Sequence, residues 1–183
     1  VRVFRRDQGN VLLKVITGSA IAATGAWLVN PLLLGTSHQM FAVLSSGDPT
    51  ELLPEMLIPH VVPALALMMV LKALFNCITV GSGMNAGFTG PSVLIGMLLG
   101  AAFALFLGYE AGSAGYFAFL MAGFVGMLAS SMNVPLAAVI MAIELFGPQA
   151  ALPAGLVAVI GFQVTRHATI YDFALAGAGH RVE

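Results

Sequence analysis

Hydrophobic positions in this chain fall in long, nearly unbroken runs, with neither the alternation of a strand nor the single stripe of a surface helix. Val11 to Val29 is the first run, closed by Asn30-Pro31. From Pro31 to Pro59 the pattern breaks. Gly35, Gly47, Pro49 and acids at 48, 51 and 55 suit a short half-inserted helix around Gln39 to Leu44, then a polar loop. Val61 to Val80 is the second span and carries Lys72 and Asn76. After a glycine-rich stretch the pattern predicts a helix from about Pro91 to Leu107 and a turn at Tyr109 to Ala114 holding Glu110. A Gly- and Ala-rich span covers Gly115 to Ser131, and such small residues let helices pack closely. Asn133-Val134-Pro135 breaks the chain again. Leu136 to Phe146 reads as a short helix ending at Gly147-Pro148, and Ala151 to Val164 is the last apolar run.

A helix needs roughly 20 apolar residues to cross a bilayer. The runs therefore predict an all-α integral membrane protein of about six helices, several broken or tilted. Composition agrees: 59% of the 183 residues are hydrophobic and 8% charged, and mean hydropathy is +0.97. A formal net charge of −1 leaves no basic footprint for nucleic acid. Cys77 is the single cysteine, so no internal disulfide forms, and no cysteine cluster offers a metal site. His38, His60, His167 and His180 share no ligand spacing, and the ten Met residues read as packing filler. No cofactor is expected.

Charge placement predicts orientation. Arg2, Arg5 and Arg6 precede the first run, Arg166 follows the last, and the acids at 48 to 55 lie between the first two. The positive-inside rule puts both termini in the cytoplasm, with Lys14 snorkelling to the interface. The first ten residues read as a basic lead-in and not as a signal peptide. A start without Met reads as a piece of a longer polypeptide.

Irregular backbone at membrane depth is tolerated only where protein or a water-filled cavity covers it. Discontinuous helices whose ends meet there point to transport sites. The stretch Gly81 to Gly96, GSGMNAGFTGPSVLIG, is the main such break. Its glycines permit tight turns, and Pro91 suits a first helical turn, where its missing N–H costs nothing. A helix start carries unpaired N–H groups and about half a positive charge, so an anion is its natural guest.

Here the residues resemble a known family. Gly87-Phe88-Thr89-Gly90-Pro91 is similar to the G-x-F-x-P element of the CLC chloride channels and proton-coupled anion exchangers, with Thr89 in the usual Phe position. Met127 to Gly147 resembles the family's late A-P-L-T-A-I stretch with its glutamate, here Glu144. Ile170-Tyr171-Asp172 resembles the tyrosine-bearing start of the last membrane-associated helix. The likeness implies the second of two inverted repeats plus the helix before it: lead-in 1–10, membrane domain 11–165, and a membrane-associated segment and tail at 166–183. It implies a voltage-gated channel or proton antiporter for chloride or a related anion in a bacterial inner membrane. A homodimer is implied through 11–29 and 134–164, and the membrane domain touches lipid throughout.

The resemblance assigns anion binding to Gly87, Phe88, Thr89, Gly90 and Pro91, with Phe88 and Thr89 offering backbone N–H groups and Tyr171 its hydroxyl. Glu144 is implied as a structural carboxylate bonded to backbone amides, with a proton-related role as the alternative. The first-repeat serine and gating glutamate of G-R-E-G-P match nothing in this sequence. Two other classes stand beside the channel reading: a non-conducting structural subunit that needs a partner half, and an intramembrane hydrolase using Ser82 with His60. The hydrolase fails on distance, since about 30 Å of helix separates its two residues; the chain is not expected to be an enzyme. Lys72 is expected to snorkel or pair, with a pore-lining role as the alternative.

Overall fold

The computed structural model describes residues 11–33, 38–53, 60–82, 87 and 89–167. Among them lie seven α-helices and no strand: α1 (Val11–Val29), α2 (His38–Ser46), α3 (Val61–Gly81), α4 (Thr89–Phe106), α5 (Ala114–Met132), α6 (Pro135–Phe146) and α7 (Ala151–Thr165). The protein is an all-α membrane protein. Val61–Gly81, Thr89–Phe106, Ala114–Met132 and Pro148–Thr165 are each long and apolar enough to cross a bilayer. A short helix, α2, forms where one was expected around Gln39, and the loop after it contains a 3-10 turn, Pro49–Leu52. Most boundaries shift by a residue, and the α4 start shifts by two. Gly81 closes α3, and α4 starts at Thr89 with Pro91 still in its first turn. The basic lead-in, Phe88, Tyr171 and the tail fall outside the described residues, as does the Lys14 side chain.

Each break has a local cause. Ser113 caps α5 by accepting from the Tyr116 N–H at 3.2 Å. Asn133 ends the same helix in the left-handed region (φ 56°), which asparagine tolerates better than most side chains. Pro135 then opens α6, where its absent N–H is no loss, and Gly147 (φ 92°) closes it. Asp48 caps the Pro49–Leu52 turn through the Thr50 N–H at 3.0 Å.

The core is the α4–α5 pair. Leu94, Met97, Leu98, Ala101, Leu120 and Phe124 are buried there. The two backbones touch. A Cβ on Gly96 would overlap the Gly123 carbonyl, and one on Gly123 would overlap the Gly96 carbonyl. Around this pair α3 lies against α4, α6 and α7 lie against α5, and α1 lies against α3.

Polar side chains act as cross-links by donating to backbone carbonyls. Lys72, 3% exposed, donates its Nζ to the Leu33 carbonyl at 2.7 Å, joining α3 to the turn after α1. It therefore pairs inside the protein and does not snorkel to the surface. Tyr116 Oη reaches the Leu44 carbonyl at 3.3 Å and ties α5 to α2. Thr165 Oγ1 donates to the Ser130 carbonyl at 2.7 Å and ties the end of α7 to α5. In a low-dielectric interior an unmatched carbonyl is costly, so each bond fixes one relative placement.

Candidate functional site

The start of α4 is built by three residue types in sequence. Gly87, Thr89 and Gly90 are exposed, whereas Pro91 and Ser92 are buried as the helix enters the core. No acidic side chain occupies this first turn, so the helix's own first turn leaves its partial positive charge in place. Thr89 Oγ1 lies 3.5 Å from Met132 Sδ, donating to the thioether at the end of α5. Met132 is three residues from Pro135, the first residue of α6. That second helix start, capped by Val134, has no side-chain hydrogen bond on its own free N–H groups. Two helix starts without acidic neighbours thus come to one region of a membrane bundle.

The junction between them is polar. Asn133 Oδ1 is buried with no hydrogen-bond partner among the described residues. The sequence marks Asn133-Val134-Pro135 as a break and as part of the Met127 to Gly147 resemblance, but not as a neighbour of the glycine stretch. The pairing of that break with the glycine stretch is tertiary, carried by one contact between residues 43 positions apart. The available signal was that both segments combine small or turn-forming residues with a proline at the following helix start.

The other expected site residues are scattered. Glu144 is exposed on α6, and among the described residues its carboxylate makes no hydrogen bond. Ser82 donates its hydroxyl to the Thr79 carbonyl at 2.7 Å, and His60 caps the opposite end of the same 21-residue helix. They form no nucleophile–base pair. His167 accepts from Arg166 Nε at 3.0 Å on the surface. No group of three His, Cys, Asp or Glu that could hold a metal ion occurs among the described residues.

A bundle of broken apolar helices, four of them long enough to cross a bilayer, defines an all-α membrane protein. The particular family follows from comparison. The family model described as the voltage gated chloride channel matches residues 1–166. This chain belongs to that family. It is 37% identical over 101 residues to a chloride/fluoride channel protein of Pseudomonas syringae pv. tomato, a match covering 55% of this chain and 21% of that one. It is 36% identical over 109 residues to an uncharacterized protein of Methanocaldococcus jannaschii, covering 60% of this chain and 26% of the other. The matches thus span about a quarter of the length of these curated relatives. No solved structure matches the chain.

Proposed function

We propose that this chain forms one side of an anion pathway for chloride or a related small anion. The observation that carries the reading is the contact of Thr89, at the α4 start, with Met132, three residues before the α6 start, inside a family member's membrane bundle. In the proposed site, backbone N–H groups of Phe88 and Thr89 hold the ion, Gly87, Gly90 and Pro91 shape the turn, and Tyr171 donates its hydroxyl. Hydrogen bonds to a charged group contribute about 1.5–3 kcal/mol each, so several donors must converge to offset desolvation of the ion. Neutral donors suit conduction because binding must stay weak enough for release. A phenol and backbone amides meet that need, where a fixed ammonium would hold the ion.

Thr89 carries the substrate proposal. A hydroxyl in place of an aromatic ring leaves more room and adds a donor, now turned to Met132. The similarity to a chloride/fluoride channel protein makes fluoride a second ion to test. The second-repeat assignment, cytoplasmic termini, a bacterial inner membrane, proton coupling, and dimerisation through 11–29 and 134–164 belong to the same proposal. So does the division into lead-in, membrane domain and tail.

A second reading is a structural subunit that conducts only with a partner half. It is favoured by the large exposed side chains on α1 and α7, among them Trp27, Leu28, Leu152 and Val164. Reconstitution in chloride- or fluoride-loaded liposomes separates the two. The first reading expects ionophore-triggered efflux that Tyr171→Ala abolishes, and a changed anion order in Thr89→Phe. No efflux from the chain alone, with Tyr171-dependent efflux from a longer protein containing it, supports the second. Flux indifferent to Tyr171 and to Thr89 refutes the site.

A further inference from the structure

Inside a helix, a Ser or Thr hydroxyl commonly donates to the carbonyl three or four residues earlier. Thr79, Ser82 and Ser131 do so at 2.6–2.8 Å. Thr89 is the first residue of α4, so no carbonyl of that helix precedes it. Its Oγ1 turns across to Met132 Sδ at 3.5 Å, 43 positions away in the chain. A thioether sulfur is a weak acceptor. The bond aims the hydroxyl and holds it loosely.

Met132 can give that aim because its own place is set. Asn133 takes left-handed backbone and ends α5 at Met132, and the Met132 side chain is partly buried against the core. One residue on, Asn133 Oδ1 is buried with no hydrogen-bond partner among the described residues. The junction thus has hydrogen-bonding capacity that the protein's own groups leave unused. A loosely held donor in such a place turns to an arriving ion at small cost, whereas one bound to a carbonyl must first give up a good bond. The bond from a hydroxyl to an anion strengthens as the ion shrinks, because Coulomb energy rises as charges approach. Control of this donor therefore bears most on the smallest ions.

We propose that Met132 is a positioning residue of the anion site: its sulfur aims the Thr89 hydroxyl and gives it up to the ion, which raises the preference for small, charge-dense anions over larger ones. The inference rests on the anion-site reading above. Met132 acts through Thr89 and does not touch the ion.

The test is fluoride and chloride efflux, read with ion-selective electrodes, from liposomes holding the conducting form, whether the chain itself or a longer protein containing it. Met132→Leu keeps the volume and removes the acceptor, while Met132→Gln brings a strong acceptor to a similar reach. We expect the fluoride-to-chloride rate ratio to fall about threefold in Met132→Leu, where the hydroxyl loses its aim, and about fivefold in Met132→Gln, where it is held against the ion. In a Thr89→Val background neither change should move the ratio further. A merely structural role would slow both ions alike, so an unchanged ratio in both variants overturns the proposal. A ratio that rises in Met132→Leu does the same, because the sulfur would then only compete with the ion. So does a shift that persists without the Thr89 hydroxyl, which would put residue 132 on the ion directly. If no form conducts, or if Tyr171→Ala and Thr89→Val leave flux unchanged, the anion site falls and this inference with it. If those two alter flux and the Met132 variants leave the ratio alone, only the role of Met132 falls.

Discussion

Helices α4 and α7 look alike as strings of residues and behave differently in the fold. Both are apolar on every side and rich in small residues. Yet 61% of α4 is buried, against 17% of the span containing α7. The difference lies in the partner surface. At Gly96 and Gly100 of α4 a Cβ would run into the backbone of α5, whereas at Gly155 of α7 it would meet nothing within 4 Å. Hydropathy marks a segment for the membrane; backbone contact decides whether protein or lipid surrounds it.

The sharpest way to break this contrast is substitution at glycine. Gly96→Leu should cost about 3 kcal/mol or more, because the clash is with backbone and cannot relax by a rotamer change. Gly155→Leu should leave stability unchanged. Unfolding in mixed micelles, followed by helical signal and gel filtration, checks both; equal effects would end the distinction.

A smaller effect is expected at Lys72. Lys72→Ala should lose about 2 kcal/mol, since it removes a charge-assisted bond to the Leu33 carbonyl and leaves a hole. Lys72→Met should lose less, because it keeps the stem and removes the buried charge. Unfolding midpoints of the two variants decide, and equal losses for Ala and Met would place the main weight on the ammonium itself. Smaller again are the helix cross-links. Thr165→Val and Tyr116→Phe each delete one bond to a carbonyl and should cost about 1 kcal/mol. The valine change should speed amide exchange around α7 and spare α4.

The smallest effect is a pH dependence at the acidic turn. Hydrogen bonds from the Thr50 side chain and N–H hold the Asp48 carboxyl below its usual range. A depressed folded pKa means the cap is fully present above the unfolded value of about 3.9 and is lost as pH falls through the folded one. Amide exchange at Thr50 should rise only in that acidic window and become independent of pH there, apart from intrinsic rates, in Asp48→Asn.

Much of the fold was legible because breaks in this chain have local causes. Asn30-Pro31, Asn133-Val134-Pro135 and Gly147-Pro148 each fall where an apolar run stops, and each separates two helices in the structure. Helix starts were less legible. Thr89 and Gly90 have no periodicity that marks them helical, and Pro91 was the earliest residue with a positional signal. Of the candidate site, the turn at Gly87 to Pro91 was readable from residue types. Its contact with the end of α5 was not, because Met132 looks like any core methionine until Thr89 is beside it. Lys72 is a similar case: its charge drew notice, but the carbonyl that receives it belongs to a residue 39 positions earlier.

The contact between Gly47 and Gly112 has a consequence for how such sequences can drift. Both residues have positive φ, 86° and 76°, but their surroundings differ. A Cβ on Gly47 would come within 2.7 Å of the Gly112 Cα, whereas one on Gly112 would meet the Gly47 carbonyl at an ordinary 3.5 Å. Asparagine or aspartate, which visit left-handed backbone, can therefore replace Gly112. Gly47 has no such substitute. Of two neighbouring glycines in the same kind of turn, one can give way to asparagine or aspartate between descendants and the other cannot.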